Sequence, residues 1–293
     1  MKAEFVHQKE VFLKSSRLLF QYIAGIIFTL AVFTACGGGN DINFNFEGNN
    51  WPWPWTNNSD FFVNKAFSQN MEVSDNMNLW LDGVNGEIKI TGQPDGDSLI
   101  ISAMARVGSD TYEDAQAGLE QLEISVKDED GVITVQTVQP NSTLGRQYVV
   151  DYTITIPSDL TVNVSQVNGH ITIQDINNSV SVVLTNGHVD FSEIFGDVTV
   201  SVDNGSINGN LILPADGEVV ISTVNGDIDL DIPTSTSAEV FGLVSNGTIG
   251  WDNLDLVDAK QTNKSLQGKL GDGAGLIDLK TVNGYINIVG FSL

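Results

Sequence analysis

Two histidines, His170 and His188, each stand directly after an Asn-Gly step in similar phrases, and Asp190 follows two residues after the second. If the phrases stack, both imidazoles face outward on neighbouring turns, close enough to share a metal ion with Asp190 as a third ligand. Such a group on an open face is far more often a solvated surface, and that is the expectation here. Asp227, Asp229 and Asp231 in "DIDLDI" alternate with apolar residues, so their carboxylates share the solvent side of a strand. With Asp95 and Asp97, and with Asp128, Glu129 and Asp130, they offer oxygens suited to calcium. The calcium-loop pattern fails, because its glycine position falls on Ile232 and its closing glutamate on Ala238. The expected state is a solvated acidic ladder without a cofactor, calcium being the one candidate ion.

Enzymatic chemistry finds little to work with. Glycoside hydrolysis needs two carboxylates at a defined separation, which an acidic face supplies only by accident. Elimination at a uronic acid needs a cation over the substrate carboxylate, yet beyond the leader the only arginines are Arg106 and Arg146, both outside the repeats. The sequence holds no Gly-x-Ser-x-Gly elbow and no phosphate-binding loop. A non-catalytic chain is expected, with a polysaccharide-active β-helix enzyme as the alternative.

Charge narrows the partners. The 293 residues carry 37 acidic and 13 basic side chains, a formal net charge of -24, which repels nucleic acid and anionic headgroups and favours cationic partners. The only cysteine, Cys36, excludes an intramolecular disulfide and a thiolate cluster. Ahead of it run a basic segment with Lys2, Lys9, Lys14 and Arg17, then the apolar stretch "LLFQYIAGIIFTLAVFTA". That is the order of an export signal. The stretch "VFTACGGG" resembles a bacterial lipoprotein box, with Thr34 and Ala35 in place and Phe33 where Leu is usual. The resemblance implies cleavage after residue 35 and a lipid on Cys36; an uncleaved membrane anchor is the alternative. Gly37, with no Asp after the cysteine, favours the outer membrane where the host has one. Without residues 1–35 the chain keeps 9 basic and 35 acidic residues, a formal -26.

Residues 36–60 read as a flexible tether, rich in Gly and Asn and without a period. Within it "WPWPW" lines up Trp51, Trp53 and Trp55 along extended polyproline geometry. Such a strip suits a glycan or a lipid interface; docking on its own domain or stiffening the stem is the plainer reading.

From residue 61 the chain reads as all-β. "SDTYEDAQAGLEQLE" predicts one helix over 110–122, with Asp110 and Glu113 as a capping box. "EISVKDEDGVITVQTV" predicts a hairpin about an Asp-Gly turn. One phrase then dominates: "DGVNGEIKI", "SQVNGHITI", "VLTNGHVDF", "SVDNGSI", "STVNGDIDL", "LVSNGTIGW" and "KTVNGYINI". Its corners are Asn85 and Gly86, Asn168 and Gly169, Asn186 and Gly187, Asn204 and Gly205, Asn225 and Gly226, Asn246 and Gly247, Asn283 and Gly284. From Asn168 the intervals are 18, 18, 21 and 21, then a gap of 37 holding "DAKQTNKSLQGKLGDGAG", either an insertion or one degenerate turn. Three residues after each Asn stands Ile or Val, and six before it, in the later six phrases, another.

An Asn-Gly step is a strong hairpin signal, so an antiparallel meander is the rival architecture. Constant offsets, with a second turn in mid-period, favour a single-chain parallel β-helix-like solenoid of 18 to 21 residue repeats spanning 61–293. The segment "YTITIPSDLTVNVSQVNGHITI", the phrases after it and the closing "TVNGYINI" resemble the bacterial family of candidate adhesins, β-strand-repeat proteins with a domain of unknown function. The resemblance implies a β-helix-like domain and a role in adhesion or envelope association, with no catalytic residues. The expectation is a surface lipoprotein anchored in the membrane by lipid, acting as a binding or scaffold module for an envelope or extracellular ligand such as a glycan. The alternative is an envelope sensor that captures cationic peptides.

Overall fold

The computed structural model describes residues 61–74 and 77–293, so the leader, Cys36 and the tryptophans at 51, 53 and 55 lie outside the described residues. The described chain is all-β with one short helix. It begins with β1 (Phe61–Glu72), β2 (Asn78–Asp82), β3 (Asn85–Gln93), β4 (Ser98–Ser109), the helix α1 (Tyr112–Leu119), β5 (Glu123–Glu129), β6 (Val132–Val138) and β7 (Gln147–Pro157). Two long strands follow, β8 (Thr161–Ile176) and β9 (Val180–Ile194), each running through an Asn-Gly step. Afterwards the same path is cut at the step, giving β10 (Val198–Asn204) with β11 (Ile207–Leu211), β12 (Glu218–Asn225) with β13 (Ile228–Pro233), and β14 (Ala238–Asn246) with β15 (Ile249–Asp252). Last come β16 (Val257–Gln261), β17 (Ser265–Leu270), β18 (Gly275–Asn283) and β19 (Ile286–Phe291).

Each phrase thus supplies a leading arm before its Asn-Gly step and a trailing arm after it. Arms pair with the same arm of another repeat, in parallel. In the leading arms Val162, Val180, Val198 and Val219 lie opposite one another in turn; in the trailing arms Ile171, Val189, Ile207 and Ile228 do the same. These are the two apolar positions fixed in the sequence, and every one is buried. Alternation places their neighbours outside, so alternate residues of each arm, such as Val162 and Val164 or Ile171 and Ile173, fill the interior in rows.

The order of pairing then departs from the order of the sequence. β12 pairs with β18 rather than β14, and β13 with β19 rather than β15. β14 and β15 occupy the far sides of β18 and β19. The seventh phrase therefore sits between the fifth and the sixth. The residues linking the sixth to the seventh form no further turn of the repeat: β16 and β17 pair antiparallel, and β17 pairs antiparallel with β14.

The other end closes in a related way. β6 and β7 lie parallel on β2 and β3, after which β5 pairs antiparallel with β6, β4 with β7, and β1 with β4. The Asp130-Gly131 turn has positive φ at both residues, as a two-residue hairpin requires. The helix is shorter than the sequence predicts. Its N-cap is Thr111, whose hydroxyl accepts the Asp114 amide at 3.1 Å, and not Asp110. Both residues are good caps and adjacent, so the local pattern cannot choose between them. Beyond Leu119 the Gln121 and Leu122 amides reach back only three residues, and Leu122 is buried outside the helix.

Candidate binding surface

The corner shared by all seven phrases is one continuous amide ladder. Asn85 donates to the Tyr148 carbonyl at 3.0 Å; Asn168 donates to Asn85 at 2.7 Å, Asn186 to Asn168 at 2.8 Å, Asn204 to Asn186 at 3.0 Å and Asn225 to Asn204 at 2.7 Å. Asn283 then donates to Asn225 at 2.7 Å, and Asn246 to Asn283 at 2.8 Å. Each side-chain oxygen but the last accepts from the next rung, so the amides satisfy one another along the edge. The ladder records the interleaved order directly.

Beside each Asn the glycine lets neighbouring backbones approach. Gly187 has φ +141, and a Cβ there would overlap the Gly169 carbonyl. Gly226 departs from the expected strained conformation, since its φ lies outside the left-handed range; the constraint there is contact alone, a Cβ meeting the Gly205 carbonyl. Three buried polar residues support these carbonyls. Gln166 donates to Gly86 at 2.6 Å, Thr223 to Gly205 at 3.0 Å and Thr281 to Gly226 at 2.9 Å. All stand two residues before the corner Asn, a polar letter in "SQVNG", "STVNG" and "KTVNG" that the apolar pattern passes over.

His170 and His188 are paired across β8 and β9, with ring centroids 6.4 Å apart and edge to face. His170 Nε2 meets Asp190 at 2.5 Å, and Asn208 donates to the other Asp190 oxygen at 2.7 Å. The three predicted groups are brought near one another on the surface, His170 hydrogen-bonded to Asp190 and His188 against the His170 ring; among the described residues no group of three or more His, Cys, Asp or Glu side chains is placed to hold a metal ion. Asp227 and Asp229 are engaged otherwise. Asp227 accepts the Tyr285 amide at 2.9 Å, and Asp229 accepts the Tyr285 hydroxyl at 3.1 Å and the Asn287 amide at 3.4 Å. The Asp229 carboxylate holds the Tyr285 phenol above its ordinary range by accepting that hydroxyl. These carboxylates are therefore sockets for the inserted seventh phrase.

Comparison of the sequence with family descriptions and with curated proteins finds no match. Among solved structures the chain is similar to a candidate cell adhesion protein from Clostridium sporogenes, at 13% identity and a TM-score of 0.40, over 78% of this chain and 100% of that one. It is also similar to a candidate adhesin from Bacteroides fragilis, at 14% identity and a TM-score of 0.36, over 78% and 97%. A candidate lipid binding protein from Parabacteroides distasonis overlaps at 11% identity and a TM-score of 0.21, over 76% and 96%. Likenesses this slight carry no role across to this chain.

Proposed function

We propose that the chain is an exported, lipid-anchored member of the candidate-adhesin family, a single-chain parallel β-solenoid that serves without catalysis as a binding or scaffold surface at the cell envelope. The observation that carries this reading is the register: like residues lie opposite like residues in both arms, from Asn85 to Asn246. A core specified once per rung leaves the outward residues of each arm free to differ while holding them in fixed rows. That is the physical requirement of a display surface. The signal-like run ending at Cys36 supports export.

The test uses the full chain in a host that lipidates exported proteins. Wild type should incorporate labelled lipid, and protease added to intact cells should remove the β domain. Cys36→Ser should lose the label and appear as precursor or soluble protein. Unchanged labelling of Cys36→Ser overturns the anchor, and a domain fully protected from protease overturns surface display.

A second reading, capture of cationic peptides, is favoured by Asp190, Asp229 and Asp231 on the outer side of the trailing arms, where Asn208 lies between Asp190 and Asp229 in the pairing. Binding of that kind weakens steeply with salt. An oligolysine peptide bound equally at low and high salt would exclude it.

A further inference from the structure

The net charge conceals an uneven distribution. Of the nine basic residues beyond the leader, Lys260, Lys264, Lys269 and Lys280 fall within residues 260–280. The first three belong to β16, the β16–β17 turn and β17, the segment in which the chain leaves its repeat, and Lys280 belongs to β18, the leading arm of the seventh phrase. Pairing brings three of these lysines to one sheet. Lys260 lies opposite Gln267, which lies opposite Phe241 and then Asp278; in the next row Ser265 lies opposite Leu243 and then Lys280. Lys269 stands opposite Glu239.

These residues face outward, because the alternate positions Leu266, Leu270, Val240, Val244, Ile277 and Leu279 are buried. Leu243 is 51% exposed, unusual for a leucine in a paired strand. Two adjoining depressions of about 390 and 530 Å³ open on this face, both bordered by Phe241, Lys260 and Gln267. Lys280 meets Asp278 at 2.6 Å and Lys264 donates to the Ser245 carbonyl at 2.7 Å, whereas Lys260 and Lys269 have no ion-pair partner among the described residues.

An aromatic ring set among ammonium, amide and hydroxyl groups suits a ring-shaped ligand with both an apolar face and carboxylates. Lysine is depleted at protein–protein interfaces, which argues against a protein partner. Nucleic acid and an anionic bilayer are large enough to meet the acidic remainder of the chain and be repelled by it. A short ligand confined to the depressions meets chiefly their own lining, where Lys260, Lys269 and Lys280 stand among Glu239, Asp258 and Asp278, because charges beyond about 10 Å are screened at physiological salt. The outermost of the four strands, β16 and β18, lie roughly 14 Å apart, the span of a short oligosaccharide.

We propose that this trough binds a short oligosaccharide bearing carboxylates, a uronic-acid segment, with Phe241 as the platform under a sugar ring and Lys260 and Lys269 on its carboxylates. The proposal rests on the surface-binding reading and names the site for it.

Titration calorimetry of the full chain with tetragalacturonate tests it, with maltotetraose and an oligoglutamate peptide as controls. Tetragalacturonate should bind saturably and weaken with added salt, while neither control binds comparably. Lys260→Gln and Phe241→Ala should each weaken binding roughly tenfold, the loss of one charge-assisted or stacking contact. Both positions are outward, so thermal melts should be preserved, and Lys127→Gln on β5 should change nothing. No tetragalacturonate binding, binding indifferent to both substitutions, or oligoglutamate bound as tightly as the sugar would overturn the proposal. Lipid labelling through Cys36 does not involve the trough, so failure here and failure of the envelope reading remain distinguishable.

Discussion

The stretch from β8 to β13 and the stretch from β14 to β19 are written in the same phrase and build the same rung, yet they assemble differently. In the first, each repeat pairs with the next in sequence, at offsets of 18 and 21 residues. In the second, the last repeat slides between its two predecessors, and the link that permits it, residues 253–274, folds as an antiparallel hairpin on the outside of β14. A parallel pair needs a long connection. Where the connection is short, the next repeat can only be the next rung; where it is long, the rung order is free to change.

The comparison breaks hardest under truncation. Ending the chain at Ala274 removes β18 and β19 from the interior, taking away Ile277, Leu279, Ile286 and Ile288, all buried, leaving β12, β13 and β14 each unpaired along one edge and β15 without its partner. Each such side chain contributes about 1.5–3 kcal/mol, so the loss approaches the whole stability of a domain. Circular dichroism should show no cooperative melt. Were the rungs stacked in sequence order, the same cut would remove only a terminal rung and a near-normal melt would survive. A cross-link asks the question without risking the fold. In a Cys36→Ser background, Asn225→Cys should form a disulfide with Asn283→Cys and not with Asn246→Cys, because only the first pair are neighbours in the ladder.

The rung itself is legible in the sequence because its requirements recur. An Asn at the corner, a Gly that admits the neighbouring carbonyl and an apolar residue at fixed offsets are each restated seven times, so spacing alone locates the buried rows. The rung order is not legible for the same reason: seven equivalent corners can stack on one another in any sequence, and nothing in "TVNGYINI" says that its neighbours are "TVNGDIDL" and "VSNGTIGW". The polar supports Gln166, Thr223 and Thr281 escape an apolar pattern, although their position before the corner is regular. The lysine-lined trough escapes composition altogether, because a sum of charge reports -26 and hides three cations folded onto one face.

Next in size is the corner glycine. Gly187→Val should cost about 4 kcal/mol or more in a denaturant melt, since the substitution both strains a left-handed backbone and overlaps the Gly169 carbonyl. Gly226→Val should destabilise by a comparable but smaller amount, having the overlap without the unfavourable φ. Equal tolerance of Gly187→Val and His188→Ala would remove the argument that the backbones touch at the corner.

A finer contrast lies in the column directly after the corner. His188 is exposed in the regular stretch, and His188→Ala should change stability by no more than about 0.5 kcal/mol. Asp227 occupies the equivalent place beneath the inserted rung, where it accepts the Tyr285 amide. Asp227→Ala should cost about 1 kcal/mol, and Asp227→Asn, which keeps an acceptor, should recover most of it. Identical small effects at His188 and Asp227 would mean that the inserted rung needs no socket.

The smallest effect belongs to the opposite end, where strands outside the repeat also finish the stack. Arg146 meets Asp114 at 2.7 Å beside the N-cap of α1, and Ser109 donates to the same carboxylate at 2.5 Å. Arg146 first, then Ser109, hold the Asp114 carboxyl well below the usual carboxylate range. A depressed folded value means that the stabilisation is fully present above the unfolded carboxyl's pKa of about 3.9 and disappears as pH falls through the folded value. The pair is solvent-screened, so the contribution is small. Thermal melts of wild type and Arg146→Met should therefore differ fully at pH 5, and the gap should narrow from about pH 4 toward pH 2, as the Asp114 carboxyl freed of Arg146 takes up its proton in the unfolded chain and in the variant. If the gap stays constant across that range, Arg146 supports α1 by packing its stem against Gly118 and Tyr148, and the charge contributes nothing. Addition of 1 M salt at pH 5 separates the two accounts, because it shrinks a Coulombic gap and leaves a packing gap in place.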